Sequence, residues 1–305
     1  MKNQPLFSIV VPTYNRAELI MKTLDSIFAQ TYSNYEVIVV DNKSTDHTAE
    51  LLEPLHKAGK IRLIIHPENR ERSVSRNTGF ANSLGDFVTI LDSDDLMLKD
   101  NLKDAAEFVR THPESVFFHN KYHMVNEAGR KIYSYRFPKQ NSPQSLSQGN
   151  YLSCIGVFLA KKIYTEHVFD VEPLLLGSED WEYWLRIIAR FKLDTLDKLN
   201  SLIVHHENRS LTKFNIESFI PKTEYIIRKF KADPILDAVY KHEYPVIHSA
   251  TYLFAASRAN SMKLYADARK YLRMALQIYP AAKFKIRFWK ILTITVLRKE
   301  NEHQI

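Results

Sequence analysis

Over the first hundred residues, short apolar runs alternate with segments whose apolar side chains recur every three or four positions. Phe7-Ser8-Ile9-Val10-Val11 predicts a buried strand stopped by Pro12. Asn15 is placed to cap the helix that follows, in which Leu19, Ile20, Leu24, Ile27 and Phe28 keep helical spacing. A second strand runs from Glu36 to Val40 and ends in Asp41, and a helix runs from Asp46 through Leu55 with Gly59 just past it. Ile61 to Ile65 is a third strand, Ser73 to Leu84 a third helix, and Phe87 to Leu91, opened by Gly85, a fourth strand. Such βαβ units imply an α/β fold: a largely parallel sheet with helices on both faces.

Beyond residue 100 the pattern predicts a helix around Leu102 to Val109, a strand Val116-Phe117-Phe118, and a hairpin between Tyr122 and Phe137 that turns near Glu127-Ala128-Gly129-Arg130. The polar, apolar-poor stretch from Pro138 to Gly149 reads as a mobile loop. A strand over Gly156 to Ala160 and a helix over Glu179 to Phe191 come next, then strands at Lys192 to Leu196 and Leu202 to His205. These elements assign 1–214 to one domain. The remainder, 215–305, reads as a smaller all-helical region. It contains a helix from Ile216 to Phe230, a pair at His248 to Asn260 and Tyr265 to Tyr279 with alanines where the two cross, and a basic, aromatic amphipathic tail from Phe284.

Composition narrows the function class. With 45% hydrophobic and 25% charged residues the chain is ordinary for a soluble globular protein. Seven glycines speak against glycine-rich nucleotide loops. The Lys+Arg excess over Asp+Glu, 42 − 35 = 7, suits a phosphorylated ligand or an anionic surface. The basic residues are scattered rather than striped, which argues against nucleic acid. A single cysteine, Cys154, excludes a disulfide within the chain. No apolar run approaches the ~20 residues of a spanning helix, and the N-terminal apolar run is too short for a signal-peptide core. A cytoplasmic protein is therefore expected, with peripheral contact at the inner face of a membrane through the tail.

The chemistry gathers at strand ends. In open α/β sheets ligands bind beyond the carboxyl ends of the strands, and there stand Thr13-Tyr14-Asn15, Asp41, His66 and Asp92. Asp92-Ser93-Asp94-Asp95 crowds three carboxylates into four positions, which a divalent cation with a polyphosphate would relieve; Asp94 or Asp95 as cap of the helix near Leu98 is the plain alternative. Asp41 stands ready for a base or ribose, because Asp46 already caps the next helix. Arg76 is read as a site residue that pairs with the aspartates or holds a diphosphate, whereas Arg70 and Arg72 fit a solvated helix face equally well. Glu179-Asp180 begins a helix, where acids suit the dipole; beside Trp181 they also suit a general base next to a sugar platform. His205-His206 at a strand end is either structural or a metal ligand pair.

Taken together these stretches resemble the family 2 inverting glycosyltransferases of GT-A fold. The resemblance rests on Ser8-Ile9-Val10-Val11-Pro12-Thr13-Tyr14-Asn15-Arg16, Val40-Asp41-Asn42-Lys43-Ser44-Thr45-Asp46, Arg76-Asn77-Thr78-Gly79, Leu91-Asp92-Ser93-Asp94-Asp95 and Gly177-Ser178-Glu179-Asp180-Trp181. They occur in the family's order and cover the first two-thirds of the chain. The resemblance implies a nucleotide-sugar donor, a UDP-sugar foremost, bound by Pro12, Thr13, Tyr14, Asn15, Arg16, Asp41, Arg76, Asp92 and Ser93. It also implies a Mn or Mg ion on Asp94, to which His205 and His206 are added as candidates, Asp180 as base with Glu179 beside it, and Trp181 toward the acceptor. That acceptor would be a glycan or lipid-linked precursor of a cell-surface polysaccharide. Asn42 and Lys43 stand where Asp-Gly is common, and Glu71 and Ser75 replace a frequent Gly and Ala, so donor identity stays open. A non-catalytic carbohydrate- or nucleotide-binding module is the other reading. A sugar-phosphate nucleotidyltransferase is disfavoured, because no glycine follows the first strand.

Overall fold

The structure, a computed structural model, describes residues 4–206 and 216–297. The expected boundary at 214 and the last residues of the basic tail lie outside the described residues. The chain divides into two compact units. One takes the chain up to 141 and from 151 to 209, and the other takes 142–150 and the chain from 210 onward.

The first unit is built on a nine-stranded sheet. Its strands are β1 (Phe7–Thr13), β2 (Tyr35–Asp41), β3 (Arg62–Ile65), β4 (Phe87–Ile90), β5 (Leu96–Met97), β6 (Phe117–Asn126), β7 (Lys131–Ser134), β8 (Val157–Ala160) and β9 (Asp194–His205). The order is β3-β2-β1-β4-β8-β6-β9-β5, with β7 paired to β6. The first four strands are mutually parallel, as βαβ crossovers require. From β8 onward the sheet is mixed: β8 is antiparallel to both β4 and β6, β9 is parallel to β6, and β5 is antiparallel to β9. Helices α1 (Ile20–Phe28), α2 (Thr48–Lys57) and α3 (Arg72–Ala81) connect the parallel strands. They are followed by α4 (Asn101–Thr111), then α6 (Lys161–Tyr164) and α7 (Glu179–Ile188). The core is the apolar face of these strands and helices, from Phe7, Ile9 and Val11 through Leu24 and Leu102 to Phe118 and Phe158.

Several expectations need correction. Pro12 does not stop the first strand, which continues to Thr13. Val10 still accepts a hydrogen bond from Leu91 N of the β4 side, and Thr13 accepts from Asn42 N of the β2 side. The polar groups of Pro12 therefore face the side that β4 has already left, where a missing N–H costs nothing. Asn15 is no helix cap: it sits at φ 50°, and its side chain accepts from Thr45 N at 2.8 Å. Asp95 does not cap α4, whose preceding residue is Asp100. Asp95 is fully buried and accepts the Val204 N–H at 2.9 Å, joining the loop after β4 to β9. The two strands expected over 192–205 are one strand with register shifts opposite Lys121.

The second unit contains α5 (Pro143–Ser147), in the stretch expected as a mobile loop. Ser142 caps it, with reciprocal hydrogen bonds to Ser145. The other helices are α8 (Phe219–Ala232), α9 (Pro234–Tyr240), α10 (Tyr244–Ser261), α11 (Tyr265–Ile278) and α12 (Ile286–Leu297). The short α9 escaped the apolar pattern, though Asp233 before Pro234 is a plain start signal: its carboxylate accepts from Ile235 and Leu236 N–H. Ala255, Ala256 and Ala259 of α10 and Ala268 and Ala275 of α11 are fully buried, so small side chains let the pair pack closely. In α12 Phe288 and Ile291 face inward, whereas Trp289 is 55% exposed.

Candidate active site

The carboxyl ends of β1, β2 and β4 bring the predicted polar residues to one edge of the sheet. Thr13 lies in register with Asp41, and the fourth strand ends directly before Leu91-Asp92. Asp41 is buried and closes its own turn, accepting from Ser44 Oγ at 2.5 Å and from Ser44 N at 3.2 Å. The next residue, Asn42, ties down the loop after β3. Its amide donates to Asn69 Oδ1 and Arg70 O, while its carbonyl accepts from Arg70 N. His66 Nδ1 meets the same carbonyl at 3.2 Å and Nε2 meets Thr78 Oγ1 at 3.0 Å. Asn42 Oδ1 can only accept, so the His66 proton sits on Nδ1, and burial lowers the ring's pKa. Tyr14 lies 39% exposed beside this floor, Ser93 is buried, and the buried Thr13 hydroxyl has no hydrogen-bond partner among the described residues.

Two charge clusters face this edge. In the first, Asp94 Oδ2 meets His206 Nε2 at 3.0 Å and Arg16 Nη2 at 3.5 Å. His206 is buried, whereas His205, in register with Asn126 of β6, is exposed. The alternation of a strand end thus takes one histidine to the aspartate and turns the other away. A carboxylate oxygen and an imidazole nitrogen are donors that a divalent cation accepts, so this pair fits a metal. No group of three or more His, Cys, Asp or Glu is assembled for one among the described residues.

The second cluster surrounds Arg76, 2% exposed on α3. Its Nη1 donates to Glu179 Oε1 at 3.0 Å and its Nη2 to Asp92 Oδ1 at 3.3 Å, while the guanidinium lies 5.2 Å from the centre of the Phe169 ring. Burial works against the charge on Arg76, and the surrounding carboxylates of Asp92, Glu179 and Asp180 hold it in place. Glu179 is saturated: Oε1 also meets Arg72 Nε at 3.5 Å, and Oε2 accepts from Gly177 N at 2.6 Å. Burial alone would raise its pKa, but Arg72 and Arg76 bring it below the ordinary carboxylate value. Asp180 goes the other way. Desolvation and the adjacent Glu179 push it up to about 7, although Arg76 and the Trp181 N–H at 2.7 Å pull it down. Two neighbouring acids driven apart in this way are suited to different tasks.

Arg72, which the sequence leaves open, belongs to this cluster. Arg70 does not: it pairs with Glu68 at the surface, at 2.7 Å. Trp181 is 9% exposed and buried with most of α7, so it is no open platform. Asn77, overlooked in the sequence, exchanges hydrogen bonds of 2.9 and 2.8 Å with the backbone of Phe169 and so seats the ring under Arg76. Only its place in Arg76-Asn77-Thr78-Gly79 marked it.

Comparison with known proteins places this geometry in context. The model of the glycosyl transferase family 2 matches residues 8–168. An uncharacterized glycosyltransferase of Haemophilus influenzae is 30% identical over 231 residues, covering 75% of this chain and 85% of that protein. One from Rickettsia conorii is 28% identical over 199 residues, covering 64% of this chain but only 32% of its own length. The chain thus spans about a third of that larger relative. The crystal structure of Staphylococcus aureus TarS 1-349 in complex with UDP-GlcNAc superposes with a TM-score of 0.69 at 22% identity, over 89% of this chain and 81% of that one. That likeness shows a GT-A-type fold.

Proposed function

The chain belongs to glycosyl transferase family 2, and from that premise we propose that it is an inverting transferase. It would move a sugar from a nucleoside diphosphate donor, a UDP-sugar foremost, to a hydroxyl of a glycan or lipid-linked acceptor in polysaccharide biosynthesis. The observation that carries this reading is the split pair Glu179–Asp180: one carboxylate is locked by Arg72, Arg76 and Gly177, and the other is raised into the range of a general base. Asp180 takes the proton of the acceptor hydroxyl as its oxygen bonds to the anomeric carbon. The bond to the diphosphate oxygen breaks on the opposite face, its electron pair leaves with the nucleotide, and the configuration inverts. Asp41 and the loop stapled by Asn42 meet the nucleobase, Asp92 the ribose, and Arg16 and Arg76 bring positive charge to the diphosphate. Asp94 with His206 would hold a Mn or Mg ion, which when bound offsets the charge developing on the leaving diphosphate. This division of labour leaves Glu179 as the residue that positions Arg76.

The test is turnover of UDP-, GDP- and dTDP-sugars with Mn²⁺, with and without simple acceptors. Asp180→Asn and Asp94→Asn are each expected to lower kcat by roughly 10²-fold or more. Full activity in both variants overturns the mechanism. Nucleotide binding with no turnover of any donor by the wild type would favour a binding module.

The reading includes a peripheral membrane contact through α12. Residues 280–297 carry Lys283, Lys285, Arg287 and Lys290 and no acidic side chain. Phe284 is 77% and Ile286 72% exposed. Apolar side chains within a cationic frame suit an anionic interface. No described helix is long and apolar enough to cross a membrane, so the contact proposed is at the surface.

A further inference from the structure

We propose that a groove on the β6–β7 hairpin holds the part of the acceptor remote from the reacting hydroxyl, and that this acceptor is an anionic glycan chain. The inference rests on the glycosyl-transfer reading and adds to it the class of acceptor and the residues that select it. The groove is a cavity of about 580 Å³ lined by Lys121, Tyr122, Tyr135, Phe137, Lys139 and Asp197, among others. That volume lies within the range typical of small-molecule sites, ~300–1,000 Å³.

Three observations point to a glycan. First, the lining is aromatic and the rings are set at angles to each other. The Tyr122 and Tyr135 centroids are 4.4 Å apart at 48°, and Phe137 meets Tyr122 edge-on at 5.4 Å. Tyr135 and Phe137 are only half-buried, so ring surface remains for the apolar CH faces of sugars. Second, polar groups rim those rings. Lys121 pairs with Asp197, Lys139 lines the groove and is exposed, and Thr195 lies on the β9 side, where its hydroxyl also meets His119 at 3.1 Å. Third, the floor of the groove shares an edge of the sheet with the reaction centre. Thr89 of β4 and Phe118 of β6 both pair with Phe158 of β8, which runs antiparallel to each, so Tyr122, further along β6, lies toward the same carboxyl edge as Asp92. The Tyr122 hydroxyl is fixed there by donating to Tyr151 O at 2.8 Å.

Charge selects the class. Residues 119–139 contain Lys121, Arg130, Lys131, Arg136 and Lys139 against the single acid Glu127. That is 5 − 1 = 4 of the whole chain's excess of 7, carried on a hairpin and its continuation. The facing strand β9 adds no positive charge: it carries Lys198 against Asp194 and Asp197, and Asp197 is the partner of Lys121. A neutral glycan would gain nothing from the hairpin's charge, whereas uronate or phosphate groups spaced along a chain would.

The test uses the full chain and a polyuronate oligosaccharide, compared by calorimetry or fluorescence titration with a neutral maltooligosaccharide and an oligonucleotide of equal charge. The polyuronate is expected to bind about tenfold or more tightly than either. Lys139→Glu is expected to weaken it by about tenfold, the scale of one charge-assisted contact, while Lys162→Glu, the same charge change at an exposed position of α6, has no such effect. Tyr135→Ala should weaken both sugars, with thermal melting to verify its fold. The proposal is overturned by equal binding of the neutral sugar or the oligonucleotide, by equal loss in Lys162→Glu, or by no binding of the polyuronate at millimolar concentration. Donor turnover by the wild type separates the two readings. Turnover without groove binding sinks the groove alone, and groove binding without turnover of any donor sinks the transfer reaction alone.

Discussion

The four residues Arg76-Asn77-Thr78-Gly79 each have a distinct partner. Arg76 bridges Glu179 and Asp92, Asn77 seats Phe169, Thr78 meets His66, and Gly79 lies where a Cβ would run into Val10. A short motif is thus a record of contacts with five separate segments of the chain. The Glu179–Asp180 pair makes a prediction at the same scale. Asp180 has an ordinary value of 3.8 and is raised in the folded chain. A carboxyl that binds its proton more tightly when folded contributes stability that is complete below its unfolded value and lost as pH rises through the folded one. Asp180→Asn removes that loss. The melting temperature of the variant should gain on the wild type from about pH 4 to about pH 7 and then hold a constant lead. A difference that stays flat across this window contradicts the assignment. Glu179→Gln removes the like charge beside Asp180 and frees Arg76 to face it. Both effects favour the carboxylate, so the acidic limb of kcat/KM should move down by about one pH unit.

At the scale of elements, α3 lies against β1 because Gly79 leaves no side chain between them. Val10 is fully buried in the central strand and cannot yield. Gly79→Ala would improve the intrinsic helix propensity, yet it should destabilise the protein by about 1–3 kcal/mol through overpacking. Denaturant midpoints measure this, and an unchanged or raised midpoint would mean that the helix can lift off the sheet. The apolar pattern made the parallel half of the sheet legible, since strands buried on both faces read as continuous apolar runs. The mixed half was less legible. β9 begins with Asp194-Thr195 and carries Asp197-Lys198 in its middle, which breaks the apolar run. It is a strand because β6 pairs with it through bulges, and local sequence does not encode that partner.

On the scale of the whole molecule, two segments stand out as locally basic, the hairpin at 119–139 and the stretch 280–297 that contains α12. The membrane contact predicts that the protein sediments with vesicles of anionic lipid at low salt, less so at high salt, and little with neutral vesicles. Phe284→Ser with Trp289→Ser, both exposed and outside the packed face of α12, should reduce that binding. Undiminished sedimentation removes the idea.

Much of this chain is legible without coordinates. Periodicity alone gave the alternation of strands and helices, and the strand ends that gather the aspartates follow from that alternation. The family resemblance rests on short motifs kept in order. Other features follow only from the tertiary structure, because they are relations between segments far apart in the chain. Asp94 meets a histidine 112 positions away, and Glu179 is held by an arginine 103 positions away. Residues 142–150 form part of the helical unit although they lie inside the first two-thirds of the chain. The protonation split between Glu179 and Asp180 belongs here too. The two are neighbours with the same functional group, and what separates them is that Arg72 and Arg76 hold Glu179 charged, while burial and the charge of Glu179 push Asp180 up.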